Sequence, residues 1–157
     1  MYEIQLVTKV RAFYNGSMTS KYYYGQFTEE HLKLLKTGIS LYNEEKFWEC
    51  HEEVEDLWLA DYGDDARYVY WVVIQVATSL YHYLDDNLNG AEGMIRKAKR
   101  KLEICEKKNV ETELLYKYLS WEKFKKIIRK IPEKSKIEDY NELYSFKFKN
   151  PNHWDKL

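Results

Sequence analysis

Residues 65–84, which read DARYVYWVVIQVATSLYHYL, decide the fold class of this chain. Apolar side chains point in nearly every direction around a helix drawn through them, and such a helix lies at the centre of a fold. The most apolar part, Tyr68 to Leu84, is too short for a membrane span and is interrupted by polar groups such as Gln75 and His82. The stretch therefore predicts a buried central helix from about Asp65 to Leu84.

Helical patterns flank this central helix on both sides. Upstream, one helix is predicted after Thr28 to about Tyr42 and another from about Glu45 to Leu59. Downstream, a helix is predicted from roughly Gly90 to Lys107, followed by short helices near 111–118 and 121–130, and Pro132 stops the last of them. A capping-box spelling over 135–138 predicts one more helix, before a tail from residue 145. The expected fold class is all-α, a compact bundle of about five to seven helices.

A faint internal repeat supports paired helices. Ser40-Leu41-Tyr42 matches Ser79-Leu80-Tyr81 at the turn after each helix. Antiparallel helical hairpins of tetratricopeptide type repeat in this way, although two copies are too few for a solenoid. With 157 residues, we expect one domain over 1–157. Within it, 1–27 form a non-helical arm or short strand, 28–107 the core helices, and 108–157 basic helices and a tail.

The cysteines and the N-terminus favour a cytoplasmic protein. Cys50 and Cys105 lie in apolar helical patterns without a CxxC spacing, which predicts buried free thiols in a reducing compartment. The first residues, MYEIQLVTKVRAFY, lack the charged start, long apolar run and cleavage site of a signal peptide. We therefore expect a cytoplasmic protein without membrane contact.

The net charge of −1 conceals two halves of opposite sign. Residues 1–93 carry 7 Lys or Arg and 16 Asp or Glu, whereas residues 94–157 carry 18 and 10. A basic half can indicate a nucleic-acid surface. Because acids are interleaved with these bases, the sequence favours the alternative that one half of the fold complements the other. We expect no retention of DNA or RNA in a low-salt binding assay.

The stretch FWECHEEVEDLW, residues 47–58, supplies the densest set of chemical groups. Helical spacing forms one apolar stripe, and it places His51 inside and Glu52 and Glu55 at its border. The members of this stripe are Phe47, Cys50, His51, Val54, Leu57 and Trp58. A zinc protease would require HExxH, and Glu55 stands where the second histidine is needed, so that class is excluded.

A polar stripe runs along the otherwise apolar central helix. It consists of Trp71, Gln75, Thr78, His82 and Asp85. Each buried polar group left unpaired would cost roughly 1–3 kcal/mol, so these groups need partners. The nearest complementary groups in the sequence are His51, Glu52 and Glu55. We therefore predict that the two helices pack with their polar stripes facing each other. His51 or Glu55 should then lie within direct or one-water reach of Gln75 or His82.

This helical phase also predicts burial. The side chains expected to be largely buried are Phe47, Val54, Trp58, Ile74, Ala77 and Tyr81. Those expected to face water are Glu49, Glu53 and Asp56.

With these residues in view, the chain resembles a bacterial and archaeal family known as domain of unknown function 309. The resemblance runs from about Tyr42 to Leu102 and rests on YNEEKFWECHEEVEDLW, on Arg67 and on IQVATSLYHYLDDNLNGA. The family has a similar aromatic-x-x-x-His-Glu-x-x-Glu-x-x-Trp pattern, although Val72 stands where the family usually has glycine. By position, the resemblance marks His51, Glu52, Glu55, Trp58, Arg67, Gln75, His82, Asn89 (with Asn87 as the alternative), Gly90 and Ala91.

The resemblance implies a small all-helical fold with an unassigned function. It also adds Arg67, whose guanidinium could pair with Glu52 or Glu55 or hold an anion.

Three functional hypotheses follow. The first is a pocket between the two helices that binds a small ligand or a divalent metal and could be hydrolytic. Its candidate catalytic residues are His51, Glu52, Glu55 and His82, its candidate ligand-binding residues are Arg67, Gln75 and Asn89, and its candidate metal ligands are His51, Glu55 and His82. The second is a non-catalytic interaction or structural module whose polar cluster only fixes the packing. The third is nucleic-acid binding through the basic half.

Overall fold

The computed structural model describes residues 21–154 and is all-α, as predicted. The described residues contain seven α-helices, α1 Glu29–Asn43, α2 Phe47–Ala60, α3 Arg67–Leu84, α4 Leu88–Lys107, α5 Glu113–Tyr118, α6 Trp121–Lys130 and α7 Asn141–Ser145. Two short 3-10 helices, Ile137–Tyr140 and Pro151–His153, complete this part of the chain. Most of the predicted N-terminal arm lies outside the described residues, and 21–27 form a turn without regular structure.

The central position of α3 is confirmed. It packs against α2 on one side and α4 on the other. Every residue from Val72 to Leu80 is buried, including the polar side chains of Gln75, Thr78 and Ser79. Because α3 is enclosed by its neighbours, almost all of its surface can be apolar, which is the pattern its sequence carries.

Four of the connections between helices are short and contain a non-glycine residue with a left-handed backbone conformation. Positive φ angles occur at Glu45, Asp86, Asn109 and Ser120, which lie between α1 and α2, α3 and α4, α4 and α5, and α5 and α6. One such residue stops a helix and reverses the chain within a few positions. Successive helices therefore form antiparallel hairpins, as the repeat predicted.

The two matching tyrosines of the repeat differ in burial. Tyr42, at the end of α1, is completely buried against the rings of Phe47 and Phe148. Its counterpart Tyr81 is 44% exposed. The predicted burial of Tyr81 is therefore wrong, because the C-terminal tail covers the end of the first hairpin and Tyr81 has no such cover.

The C-terminal tail packs onto the bundle. The side chain of Asn43 exchanges two hydrogen bonds, each 2.9 Å, with the backbone of Phe148. The predicted capping box over 135–138 is wrong, because the backbone N–H and hydroxyl of Ser135 both donate to Glu92 of α4, at 2.9 and 2.8 Å. The Asp139 carboxylate instead accepts from the backbone N–H of Lys136 at 2.8 Å, and a 3-10 helix forms there.

The two thiols behave as the sequence predicted. Cys50 and Cys105 are both buried and free. Burial raises the pKa of each thiol to about 12, so neither is a nucleophile at neutral pH. Among the helices of residues 21–154, none combines the length and the apolar character needed to cross a membrane.

Candidate functional site

Two aromatic contacts fix how α2 and α3 pair. The rings of Trp48 and Tyr81 lie with centroids 5.3 Å apart, and those of Trp58 and Trp71 lie 4.7 Å apart. Each helix advances ten residues between these contacts, in opposite directions. The helices are therefore antiparallel, with His51 at the level of Thr78 and Glu55 at the level of Ile74, one residue from Gln75.

This pairing brings the two polar stripes of the sequence to one line, which we call the α2–α3 seam. The seam comprises Trp48, His51, Glu55 and Trp58 of α2 and Trp71, Gln75, Thr78 and Tyr81 of α3. An aromatic pair stands at each end and the polar side chains lie between.

Several buried polar atoms of the described chain without a hydrogen-bond partner lie along this seam, while others, such as Tyr42 Oη and Trp154 Nε1, lie elsewhere. Four buried side-chain atoms there form no hydrogen bond with the rest of the described chain, namely His51 Nδ1, Trp58 Nε1, Gln75 Oε1 and, on the adjoining Arg67, Nη1. Folded proteins pair most of their buried polar groups, and an unpaired one costs roughly 1–3 kcal/mol. The packing of the described chain thus leaves several donors and acceptors of the seam without a hydrogen bond.

The side chain of His51 forms the solvent side of the seam. Its Nε2 lies 3.4 Å from Glu55 Oε2, one helical turn away, and its ring stacks on Trp48 with centroids 4.8 Å apart. The side chain is 21% exposed, while that of Glu55 is 48% exposed. A carboxylate at this distance orients the imidazole.

Gln75 and Thr78 form the buried floor of the seam. Thr78 satisfies its hydroxyl within α3, where Oγ1 donates to the backbone carbonyl of Ile74 at 2.8 Å. Gln75 is only 4% exposed, and its Oε1 has no such local partner. The predicted direct hydrogen bond from His51 or Glu55 to Gln75 or His82 is therefore not formed, although the helix faces pair as predicted.

Arg67 and Trp58 close the other end of the seam. The guanidinium carbon of Arg67 lies 4.4 Å from the centre of the Trp58 ring and 4.9 Å from that of Tyr62. The expected pairing of Arg67 with Glu52 or Glu55 is not observed. Cation–π stacking holds the guanidinium instead.

His82 lies outside the seam. Its ring packs against Gly90, where an added Cβ would come within 2.6 Å of His82 Cγ, and its Nδ1 lies 3.3 Å from the amide nitrogen of Asn87. Asn87 also caps α4 by accepting from the Gly90 backbone N–H at 3.0 Å, and the side chain of Asn89, the candidate ligand-binding residue, is exposed.

The predicted metal ligands are consequently not gathered. Within residues 21–154, the only group of three histidine, cysteine or acidic residues whose ligand atoms lie within 4.8 Å of one another is His31, Asp61 and Asp64. His51, Glu55 and His82 do not form such a group. The α2–α3 seam therefore lacks the convergent donors that a divalent cation requires.

The burial predicted for α2 and α3 is largely confirmed. Phe47, Val54, Ile74 and Ala77 are buried, Glu49 and Asp56 are exposed, and Trp58 and Glu53 are intermediate. Val54 is more buried than Glu53, so the helical phase is correct.

The cluster of His31, Asp61 and Asp64 was not predicted from the sequence, because His31 lies far from the two acids along the chain. His31 Nδ1 accepts the backbone N–H of Thr28 at 3.0 Å, which leaves the ring proton on Nε2, 3.0 Å from Asp64 Oδ2. A metal at Nε2 would need that proton moved to Nδ1, against the Thr28 N–H. Asp64 also accepts from the Ala66 backbone N–H at 3.0 Å, so the cluster ties the starts of α1 and α3 together.

The seam coincides with the part of the chain that is similar to a known family. Residues 35–94 match the family model described as domain of unknown function DUF309. The DUF309 match confirms the resemblance stated from the sequence, and it contains every residue of the α2–α3 seam as well as Arg67. No curated protein and no solved structure shows significant similarity to the chain.

Proposed function

We propose that this chain is a ligand-binding domain and that the α2–α3 seam is its binding site for a small polar molecule. The observation that carries the proposal is the set of four buried polar atoms along one seam that have no hydrogen-bond partner within the described chain. Natural sequences retain such groups against their cost to folding chiefly where function requires them.

The groups of the seam specify complementary chemistry in the ligand. Gln75 Oε1 is an acceptor and calls for an N–H donor, whereas Trp58 Nε1 is a donor and calls for an acceptor. The aromatic pairs at the two ends favour a flat, conjugated molecule between them. A small amide-bearing molecule meets these requirements.

The entrance lies beside His51. Trp48 is 43% exposed, and its ring contacts both His51 and Tyr81. Rotation of these surface rings would uncover Gln75 without any movement of the helices. This arrangement favours binding over a purely structural polar network, in which the polar groups would bond to one another.

Binding can be tested with nicotinamide and acetamide as amide probes. We expect saturable chemical-shift changes in the Gln75 side-chain amide and the His51 ring when isotope-labelled protein is titrated with millimolar concentrations of each probe. Nicotinamide should bind more tightly because its ring can also stack on one of the aromatic side chains that border the seam. The variant Gln75→Met should lose the response. If neither probe produces a saturable change at these two residues, the seam is a structural network and the proposal fails.

Hydrolysis is a second candidate, supported specifically by the His51–Glu55 pair. An imidazole oriented by a carboxylate at 3.4 Å can act as a general base. A hydrolase of this kind should cleave p-nitrophenyl acetate with saturable kinetics that His51→Gln removes and that Glu49→Gln, on the exposed face, preserves. Cleavage by both variants at equal rates would exclude His51 as the base.

A further inference from the structure

Within residues 21–154, Arg67 has no carboxylate partner, in contrast to Arg96 and Arg129. Arg96 and Arg129 each lie within ion-pair distance of a carboxylate, from Glu133 and Glu106 respectively. Arg67 is half-buried, and its Nη1 is completely covered and forms no hydrogen bond with the described chain. The segment from Phe47 to Ala66 contains eight acidic residues. Shortage of nearby acids therefore does not explain why this guanidinium forms no ion pair with the described residues.

The indole N–H of Trp58 resembles the Arg67 guanidinium in this respect. Its Nε1 is buried and has no hydrogen-bond partner within the described chain, as is also true of Trp154, whereas the indole N–H of Trp121 donates to Glu111 at 2.6 Å. The Trp58 ring and the Arg67 guanidinium are stacked 4.4 Å apart. Two strong hydrogen-bond donors, one of them cationic, are thus held side by side at the same end of the α2–α3 seam.

We propose that Arg67 and Trp58 bind an oxyanion of the ligand, a carboxylate or a phosphate. This inference rests on the proposed function, since it assigns one end of the same molecule. A planar guanidinium presents paired N–H groups that match two oxygens of such an anion, and its stacked position fixes that plane in advance. The indole N–H supplies a further donor.

Tyr62 covers this end of the seam. Tyr62 belongs to the loop between α2 and α3 and is 60% exposed. Its ring centre lies 4.9 Å from the Arg67 guanidinium carbon. Its neighbour Gly63 has a φ of 90°, a backbone conformation that glycine adopts without strain. Displacement of the Tyr62 ring gives an anion access to the guanidinium without disturbing the packed helices.

The two ends together define the ligand. Gln75 and Arg67 are eight residues apart on α3, which corresponds to roughly 12 Å along a helix. The ligand class is therefore an elongated molecule with an N–H donor at one end, an oxyanion at the other and a flat body between them.

The oxyanion subsite can be tested with acetate and inorganic phosphate. Protein labelled with nitrogen-15 is titrated with each salt at constant ionic strength, with chloride as the balancing anion, so that general screening does not contribute. We expect a saturable shift of the Trp58 indole N–H signal with at least one anion. The Trp121 indole signal should not move, because its proton is already bonded. A response to acetate alone assigns a carboxylate, and a response to phosphate alone assigns a phosphate.

Two variants complete the test. Arg67→Gln should abolish the shift, and Arg67→Lys, which keeps the charge but not the planar fork, should weaken binding about tenfold. An unchanged Trp121 signal shows that each variant is folded. The inference is overturned if neither anion shifts Trp58 saturably, or if Arg67→Gln responds like the natural protein. A response of Gln75 to acetamide under those conditions would leave the proposed function intact and remove only the oxyanion subsite.

Discussion

Gly38 determines how closely α1 and α2 can approach. A Cβ added at this position would lie 2.4 Å from Val54 Cγ2, a side chain that is itself completely buried. The contact positions α2, and with it one wall of the α2–α3 seam, so a single missing methyl group affects the geometry of the site.

Alanine at Gly38 should therefore destabilise the protein. We expect Gly38→Ala to lower the free energy of unfolding by about 1–3 kcal/mol, because overpacking outweighs the helix propensity that alanine adds. Gly93→Ala is the matched control, since nothing lies within 4 Å of a Cβ in that helix position. It should raise the free energy of unfolding by roughly 0.5–1 kcal/mol. Urea denaturation of both variants measures this, and equal effects would show that the Gly38 contact relaxes freely.

Burial of single side chains could be predicted from the sequence, whereas the contacts of Arg67 could not. Helical phase correctly placed Val54 in the core and Glu49 in water, because burial on one helix follows from spacing alone. It could not show that Arg67 stacks on Trp58 rather than pairing with an acid. That outcome depends on the loop between α2 and α3, where Tyr62 completes the stack, and no local pattern specifies it.

At the level of helices, the pairing of α2 with α3 was predictable and the hydrogen bonds between them were not. A polar stripe on a buried helix must face polar groups, and one short loop separates it from the stripe on α2. His82 was assigned to the same stripe by spacing, but it turns toward Gly90 of α4. Residues at the border of two helix faces can turn to either neighbour, and only packing decides between them.

Helices α4 and α6 are joined by a charged cluster. Lys125 is nearly buried and donates to Glu106 and Glu111 at 2.9 Å, while Arg129 Nη1 donates to Glu106 at 3.0 Å. The hydrogen bonds from Arg129 and Lys125 lower the pKa of Glu106 to about 2, against the partial desolvation that opposes them. The ionised carboxylate is thus stabilised in the folded state relative to the unfolded one.

The stability supplied by Glu106 should depend on pH. Its pKa falls from an ordinary value of 4.5 to about 2 on folding, so its contribution is complete above pH 4.5 and is lost as the pH falls towards 2. We expect Glu106→Gln to be less stable than the natural protein at pH 7, and the difference to shrink between pH 4.5 and pH 2. Urea denaturation across this range measures it, with Glu103→Gln on the exposed side of α4 as control. A difference independent of pH would contradict the assignment.

Across the whole molecule, the two oppositely charged halves pair with each other and within themselves. Lys108 lies 3.8 Å from Asp65, and Lys147 lies 3.5 Å from Glu45, so bases of the second half meet acids of the first. Lys130 pairs with Glu142 within the second half. Some bases of the second half thus form ion pairs with acids of the first half, and others with acids of their own half.

That the chain does not bind nucleic acid stays a prediction. Binding to phosphate backbones would require a set of unpaired cations and would weaken steeply with salt. We expect no retention of single-stranded or double-stranded DNA or RNA at low salt. Electrophoretic mobility at micromolar protein concentration measures this, and salt-sensitive retention would contradict the expectation and direct attention to residues 94–157.

We propose that the polar groups of the α2–α3 seam bind a ligand and do not stabilise the fold. The stability of Gln75→Met tests it most directly, because methionine has a similar shape and no unpaired acceptor. We expect this variant to raise the free energy of unfolding by about 1–3 kcal/mol, the cost of a buried group without a partner. Thr78→Val, equally buried on the same face but already bonded to Ile74, should bring no such gain. If urea denaturation shows instead that Gln75→Met destabilises the protein more than Thr78→Val does, Gln75 holds the fold together and the seam is not a binding site.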